Sequence, residues 1–211
     1  MLLYYITDRT QFFGTEQRRR ELLVETSIEA ARSAVDYIQI REKELSLQEL
    51  EHVARDVVRE VRQTGSTTRV LINSRADVAL ATGADGVHLR SNDISPADVR
   101  RIWNAAGMTS APVVAVSCHT EQEVLAAKLA GADFAVFGPV FEKFGAHGIG
   151  VTNLRNAGVY GIPVFALGGV NVENARLCLE AGAAGIAGIR LFQNGELRTT
   201  VTELRRTLTP R

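Results

Sequence analysis

The chain has 211 residues, 45% of them apolar, with 24 Lys and Arg against 24 Asp and Glu. That balance excludes the net charge footprint of a nucleic-acid or membrane-surface binder, and no apolar run approaches the ~20 residues of a membrane span. Its two cysteines, Cys118 and Cys178, belong to no CxxC pair, which fits a reducing cytoplasm.

The first residues read as a strand and lack the basic, apolar and small-residue layout of a signal peptide, so a cytoplasmic protein is expected. The length suits one domain, taken as residues 1–211. Arg18-Arg19-Arg20 is the one local charge excess and reads as a solvated helix face.

Short apolar runs recur along the whole chain, at 2–6, 37–40, 70–72, 86–89, 113–116, 134–137, 164–167 and 185–189. Near-continuous apolar runs mark strands buried on both faces, as a parallel sheet requires. Helices fill the gaps between them. The first is predicted over 15–34. Ser46 and Glu49 form a capping box for a helix that runs to about Gln63 and stops at Gly65. A short helix over 75–82 ends at Gly83. Ser95-Pro96 opens another, with proline at the first helical position. Thr120 and Glu123 make a second capping box, and Gly131 closes that helix. Residues 141–161 hold five glycines and read as a long loop with at most one short helix. The seventh helix is predicted to start at Asn171-Val172-Glu173-Asn174 and to end at Gly182. Eight strand–helix units in this length predict a single (β/α)8 TIM barrel, with its active site on the loops after the strands.

Six of those loops carry chemistry. Gly168 and Gly169 follow the seventh strand, and Gly188-Ile189-Arg190 closes the eighth. Bare backbone there can converge on a phosphate, a recurrent use of loops seven and eight in this fold. Arg190 could add a guanidinium contact. The plainer alternative is that the glycines only turn the chain. Alternation after the second strand sends Gln39, Arg41 and Lys43 to one side, where they could grip an anionic ligand. The other reading is an ion-pair cluster with Glu42 and Glu44. Asn73 at the third strand end can hydrogen-bond an amide-like or amidine-like edge. Asp93 alone makes a poor magnesium site and could simply start a helix. After the fifth strand, Ser117 precedes Cys118-His119. His119 is a candidate for proton transfer, or else a helix-start residue facing solvent. His88 lies within the fourth strand and reads as structural, and the four histidines lack the spacing of a zinc site.

Taken together, these stretches resemble one superfamily, that of thiamine phosphate synthase and the TenI-like thiazole tautomerase. They are YITD (5–8), QIREKELS (39–46), INSRADVALATGADGVHL (72–89), VSCHTEQEVLAAKLAGADFAVFGPVF (116–141) and ALGGVNVENARLCLEAGAAGIAGI (166–189). The resemblance implies a soluble enzyme of thiamine biosynthesis acting on a small phosphorylated thiazole. It implies no nucleic acid and no membrane, and a homo-oligomer stays open. In the synthase, aspartates of an Asn-Asp pair and of a Gly-Gln-x-Asp segment hold magnesium and diphosphate, and a Thr-rich loop adds hydroxyls. Here Ser74 replaces the aspartate of the pair. Arg90-Ser91-Asn92-Asp93 replaces the second segment but keeps Asp93, and residues 142–147 replace the Thr-rich loop. Arg190 stands where the family usually has a small residue.

The tautomerase needs a phosphate cradle and an acid/base group but no metal. The resemblance gives the acid/base role to His119, and Phe141-Glu142 is similar to its loop. The expectation is therefore a cofactor-free tautomerase, with aminopyrimidine coupling absent or very slow. The synthase, with Mg²⁺ at Asp93, is the alternative, and a non-catalytic sensor of a phosphorylated ligand is a further one.

Overall fold

Each of the eight apolar runs forms a strand: β1 (Leu2–Ile6), β2 (Tyr37–Ile40), β3 (Arg69–Asn73), β4 (Gly86–Leu89), β5 (Val113–Cys118), β6 (Phe134–Phe137), β7 (Val164–Ala166) and β8 (Gly185–Gly188). The computed structural model describes residues 1–142 and 147–206. Neighbouring strands pair in parallel, and β8 returns to β1 through Leu2↔Gly185 and Tyr5↔Gly188, so the sheet closes in the order β1 to β8. The fold is thus the (β/α)8 barrel read from the sequence.

The connecting helices are α1 (Glu16–Arg32), α2 (Leu47–Gln63), α3 (Ala76–Thr82), α4 (Pro96–Ala105), α5 (Glu121–Leu129), α6 (Gly150–Gly158) and α7 (Ala175–Glu180). The capping boxes at Ser46–Glu49 and Thr120–Glu123 form as expected, and Ser95 makes a third with Asp98. Several boundaries differ from the sequence reading by one to four residues. Helix α7 starts four residues late, because Asn171 and Asn174 exchange side-chain hydrogen bonds with each other's backbone N–H (2.8 and 2.9 Å) and hold a non-helical turn. Strands β7 and β8 each stop one residue early. Two more helices, α8 (Arg190–Gln193) and α9 (Leu197–Arg206), follow β8. Among the described residues no helix is long and apolar enough to cross a membrane. Residues 143–146, inside the stretch that replaces the Thr-rich loop, lie outside the described residues.

Closure of the barrel makes every strand bury both faces. Ile38, Ile40, Val70, Ile72, Val87, Leu89, Val114 and Val116 face the helices in one cluster. The alternate residues face the axis, where Tyr4, Leu71, Ala115, Phe134, Val136, Phe165 and Ala187 pack in a second cluster. Its centre is aromatic: the rings of Phe134 and Phe165 lie 4.7 Å apart, and those of Tyr37 and Phe134 4.9 Å. Above them the axis turns polar. The ring Nδ1 of His88 lies 2.9 Å from the Tyr4 hydroxyl, and Nε2 lies 2.8 Å from Ser117 Oγ. Tyr4 is fully buried, so its O–H must donate to Nδ1 or remain unpaired. Neutral His88 then carries its proton on Nε2 and donates to Ser117.

Two measurements check this interior. Phe165→Ala should lower unfolding free energy by about 3–5 kcal/mol in a denaturant titration, as expected for a fully buried ring. The second concerns His88, whose pKa burial first and Arg41 second push down to about 3 from 6.5. Between those values the unfolded chain takes up a proton that the native ring refuses. Stability is full above about pH 6.5 and falls as pH drops toward 3, with this group adding a slope of up to about 1.4 kcal/mol per pH unit. His88→Gln should flatten that slope.

Candidate active site

The C-terminal strand ends open into a cavity of about 840 Å³. Its wall holds Gln39, Arg41 and Lys43 from β2 and its loop, Asn73 from β3, and Ser117 and His119 from β5. Opposite them stand Gly168 and Gly169 after β7, with Gly188, Ile189 and Arg190 at the end of β8. Of the site residues read from the sequence, only Asp93 stays out of this wall.

Strand parity puts them there. In β2, Ile38 and Ile40 point to the helices, so Gln39, and beyond the strand Arg41 and Lys43, point to the axis side. Gln39 Nε2 donates to Asn73 Oδ1 at 2.9 Å, which ties the floor of the cavity across β2 and β3. The intervening Glu42 turns away from the mouth. Its carboxylate accepts from Thr7 Oγ1 at 2.5 Å, and from the backbone N and Nη1 of Arg9, both at 3.1 Å. Glu44 also pairs with Arg9, at 3.3 Å. The ion-pair alternative for Arg41 and Lys43 is therefore corrected: the cation in that cluster is Arg9. Among the described residues Arg41 and Lys43 carry no ion pair.

The pair formed by Arg9 and Glu42 is almost wholly buried, with side-chain exposures of 6% and 0%. Burial pushes the Glu42 carboxyl above its ordinary value, while Thr7 and Arg9 pull against it. The Thr7 hydroxyl that donates to Glu42 also accepts from the Arg41 backbone N at 3.1 Å, so the cluster fixes the start of the Arg41 loop. Sequence reasoning missed this cluster. Its one available signal was that two charged residues of opposite sign follow two adjacent strands.

Asp93 is a clasp in its own loop. Oδ1 accepts from Arg90 Nε (3.1 Å) and Nη2 (2.8 Å), and Oδ2 accepts from Ser74 Oγ (2.6 Å) and Arg90 N (2.8 Å). Ser74 sits in the left-handed region at φ 60°. The arginine of this clasp reaches the cavity wall, as do Ser91 and Asn92, which the sequence reading had only as a replaced segment. His88 also contributes its ring edge to the floor, so it is both packed and site-facing.

His119 precedes the α5 cap. Its Nδ1 lies 2.6 Å from the Gly138 carbonyl oxygen, which can only accept. Nδ1 therefore carries a proton, so in the neutral ring the lone pair is on Nε2. His119 is thus a helix-start residue that also lines the cavity.

The glycines after β7 are required by the backbone itself. Gly168 has φ +92° and a Cβ there would lie 2.5 Å from Pro139 Cα; Gly169 has φ +66° and a Cβ would lie 2.7 Å from Phe141 Cβ. The β6 loop packs on them through Phe141 N to Gly168 O at 3.0 Å. The N–H groups of Gly168, Gly169 and Ile189 have no backbone acceptor among the described residues. They remain available to an anion on the cavity side.

A magnesium ion, which the resemblance implies for the synthase, does not fit the residues present. Among the described residues no three His, Cys, Asp or Glu side chains gather into a metal-binding group. Both oxygens of Asp93 are already taken, one of them by a guanidinium, and Mg²⁺ needs several free oxygen ligands.

Comparison with known proteins agrees with this architecture. A profile of the thiamine monophosphate synthase family matches residues 3–192. A Geobacter sulfurreducens protein provisionally named thiamine-phosphate synthase is 40% identical over 190 residues, covering 88% of this chain and 83% of its own. The thiamine-phosphate synthase of Clostridium novyi is 35% identical over 202 residues, 93% of each chain. The solved structure of a thiamine phosphate pyrophosphorylase from Pyrococcus furiosus superposes with a TM-score of 0.80 at 31% identity, over 98% of this chain and 94% of that one. This chain belongs to the thiamine monophosphate synthase family.

Proposed function

We propose that this protein is a thiamine-phosphate synthase. It would hold a thiazole phosphate by its phosphate on the backbone of Gly168, Gly169, Gly188 and Ile189, and join it to an aminopyrimidine diphosphate. The observation that carries this reading is a pair of anion-binding poles in one cavity. The glycine loops of β7 and β8 form one; Arg41, Lys43 and Arg90, from the loops after β2 and β4, form the other. Two phosphorylated substrates need two such poles. The names of the relatives support the same reaction, and they favour it over the tautomerisation that the sequence reading put first.

In the reaction, the bond from the pyrimidine methylene carbon to the diphosphate oxygen breaks, and a bond from that carbon to the thiazole nitrogen forms. Negative charge gathers on the departing diphosphate, where fixed cations act most strongly in a shielded mouth. Among the described residues Arg41 and Lys43 have no carboxylate partner, so they would meet that charge directly. On the floor, Ser117 receives a hydrogen bond from His88 and is left to donate, and Asn73 and Gln39 are fixed to each other. These neutral groups suit the amidine-like edge of an aminopyrimidine. No step is drawn through a metal.

A second reading rests on His119. Its Nε2 lone pair suits proton transfer on a thiazole carboxylate phosphate, which a tautomerase performs without metal.

The two reactions separate cleanly in one assay series on the purified protein. Formation of thiamine phosphate with release of diphosphate is expected, with kcat/KM falling at least 100-fold in Arg41→Ala, roughly the loss of a transition-state donor. If coupling is absent, and tautomerisation proceeds and drops about 10²–10⁴-fold in His119→Asn, the second reading replaces the first. Under either, Gly169→Val should weaken thiazole phosphate binding at least about tenfold, a loss of ~1.4 kcal/mol, with the far-UV spectrum retained. Unchanged affinity would put the phosphate elsewhere.

A further inference from the structure

We propose that this mouth holds its diphosphate without a metal ion, with the guanidinium of Arg90, beside Arg41 and Lys43, taking the place of a divalent cation. The inference rests on the two-substrate reading above and goes beyond it.

The first observation is the saturation of Asp93. Its two oxygens receive four donors, from Ser74 Oγ, Arg90 N, Arg90 Nε and Arg90 Nη2, all within 3.1 Å. A carboxylate offers about four lone-pair directions, so none is left for a cation. The guanidinium inside 3 Å would also repel one. The second observation is Ser74. Where a second carboxylate could have shared a cation with Asp93, the side chain is instead a hydroxyl that donates to it at 2.6 Å. The two positions satisfy each other and need no ion between them.

The third observation is where Arg90 ends. Asp93 takes Nε and one edge of Nη2, while the rest of the fork stays on an arginine whose side chain is 62% exposed and lines the cavity. Pinning removes rotamer freedom that an arginine would otherwise lose on binding, and the planar fork matches phosphate oxygens. Charge follows the same division. Glu42 is neutralised by Arg9, which leaves Arg41 and Lys43 without carboxylate partners among the described residues. Asp8, on the β1 loop, accepts hydrogen bonds from Thr10 and Gln11. The cavity wall presents Arg41, Lys43 and Arg90 to a multiply charged anion, and the carboxylates on the same wall, among the described residues, are Asp8 and Glu142.

The test is calorimetric titration of the full chain with inorganic diphosphate, in EDTA and in magnesium at matched free diphosphate. Affinity in EDTA should lie within about threefold of that in magnesium, a difference under ~1 kcal/mol. Arg90→Ala should weaken binding in EDTA roughly 10- to 100-fold, as for loss of a charge-assisted hydrogen bond, and Arg90→Lys should recover only part of it. Ser74→Asp supplies the converse: an aspartate tolerates the left-handed backbone and adds a second carboxylate beside Asp93. That variant should bind diphosphate more weakly in EDTA and regain affinity with magnesium. Binding by the unmodified protein that requires magnesium, or that ignores Arg90→Ala, overturns the proposal while leaving the synthase reading intact. Failure to bind diphosphate under both conditions, with thiazole phosphate still bound, overturns both.

Discussion

The whole molecule depends on the closure of a parallel sheet, because closure fixes which way every second side chain must point. In an open sheet both faces are walls. In a closed one the inner face becomes an axis of limited diameter, which must be filled below and left open above. This chain fills it with Tyr4, Tyr37, Phe134 and Phe165 and then changes chemistry on the same parity. Two residues further along their strands stand Ile6, Gln39 and Val136, and the polar set Gln39, Asn73, His88 and Ser117 forms the floor of the cavity. Core and site are one alternation read at two heights.

That is why so much of the site was legible. Gln39, Arg41 and Lys43 could be assigned to one face because a two-residue period needs no tertiary knowledge. Gly168 and Gly169 could be flagged because only glycine suits their backbone and because they follow a recognisable strand. What stayed hidden requires knowing which loops meet. Arg9 and Glu42 are 33 positions apart, and only the pairing of β1 with β2 brings them together. Asp93 looked like a surviving metal ligand, since a sequence shows the carboxylate and not the four donors around it. The late start of α7 was hidden for a related reason: Asn171 and Asn174 read as a helix start, but their side chains satisfy each other's backbone first.

The choice of reaction was the least legible part. The loss of the second aspartate and of the hydroxyl-rich loop points, by itself, to the tautomerase. The relatives carry the synthase name, which favours the opposite choice. A missing metal ligand speaks against a reaction only if nothing else supplies the charge. Counting cations at the mouth together with their partners, rather than carboxylates alone, changes the inference.

The division of labour among the arginines bears on this directly. A buried carboxylate such as Glu42 must be paired, since an uncompensated charge at that depth is strongly destabilising. If Arg41 supplied the pairing, the mouth would lose its best-placed cation. Arg9 supplies it instead from the neighbouring loop, while the shared Thr7 hydroxyl holds the Arg41 backbone in place. The same logic holds at β4, where Arg90 is tethered by Asp93 at one edge and left open at the other. Carboxylates thus orient the cations of the mouth in two ways: Glu42, neutralised by Arg9, sits behind Arg41 and Lys43, which have no ion pair among the described residues, while Asp93 holds Arg90 directly by one edge. Like charges gathered in this way repel one another until an anion arrives, so ligand binding and stability are coupled at this end of the barrel.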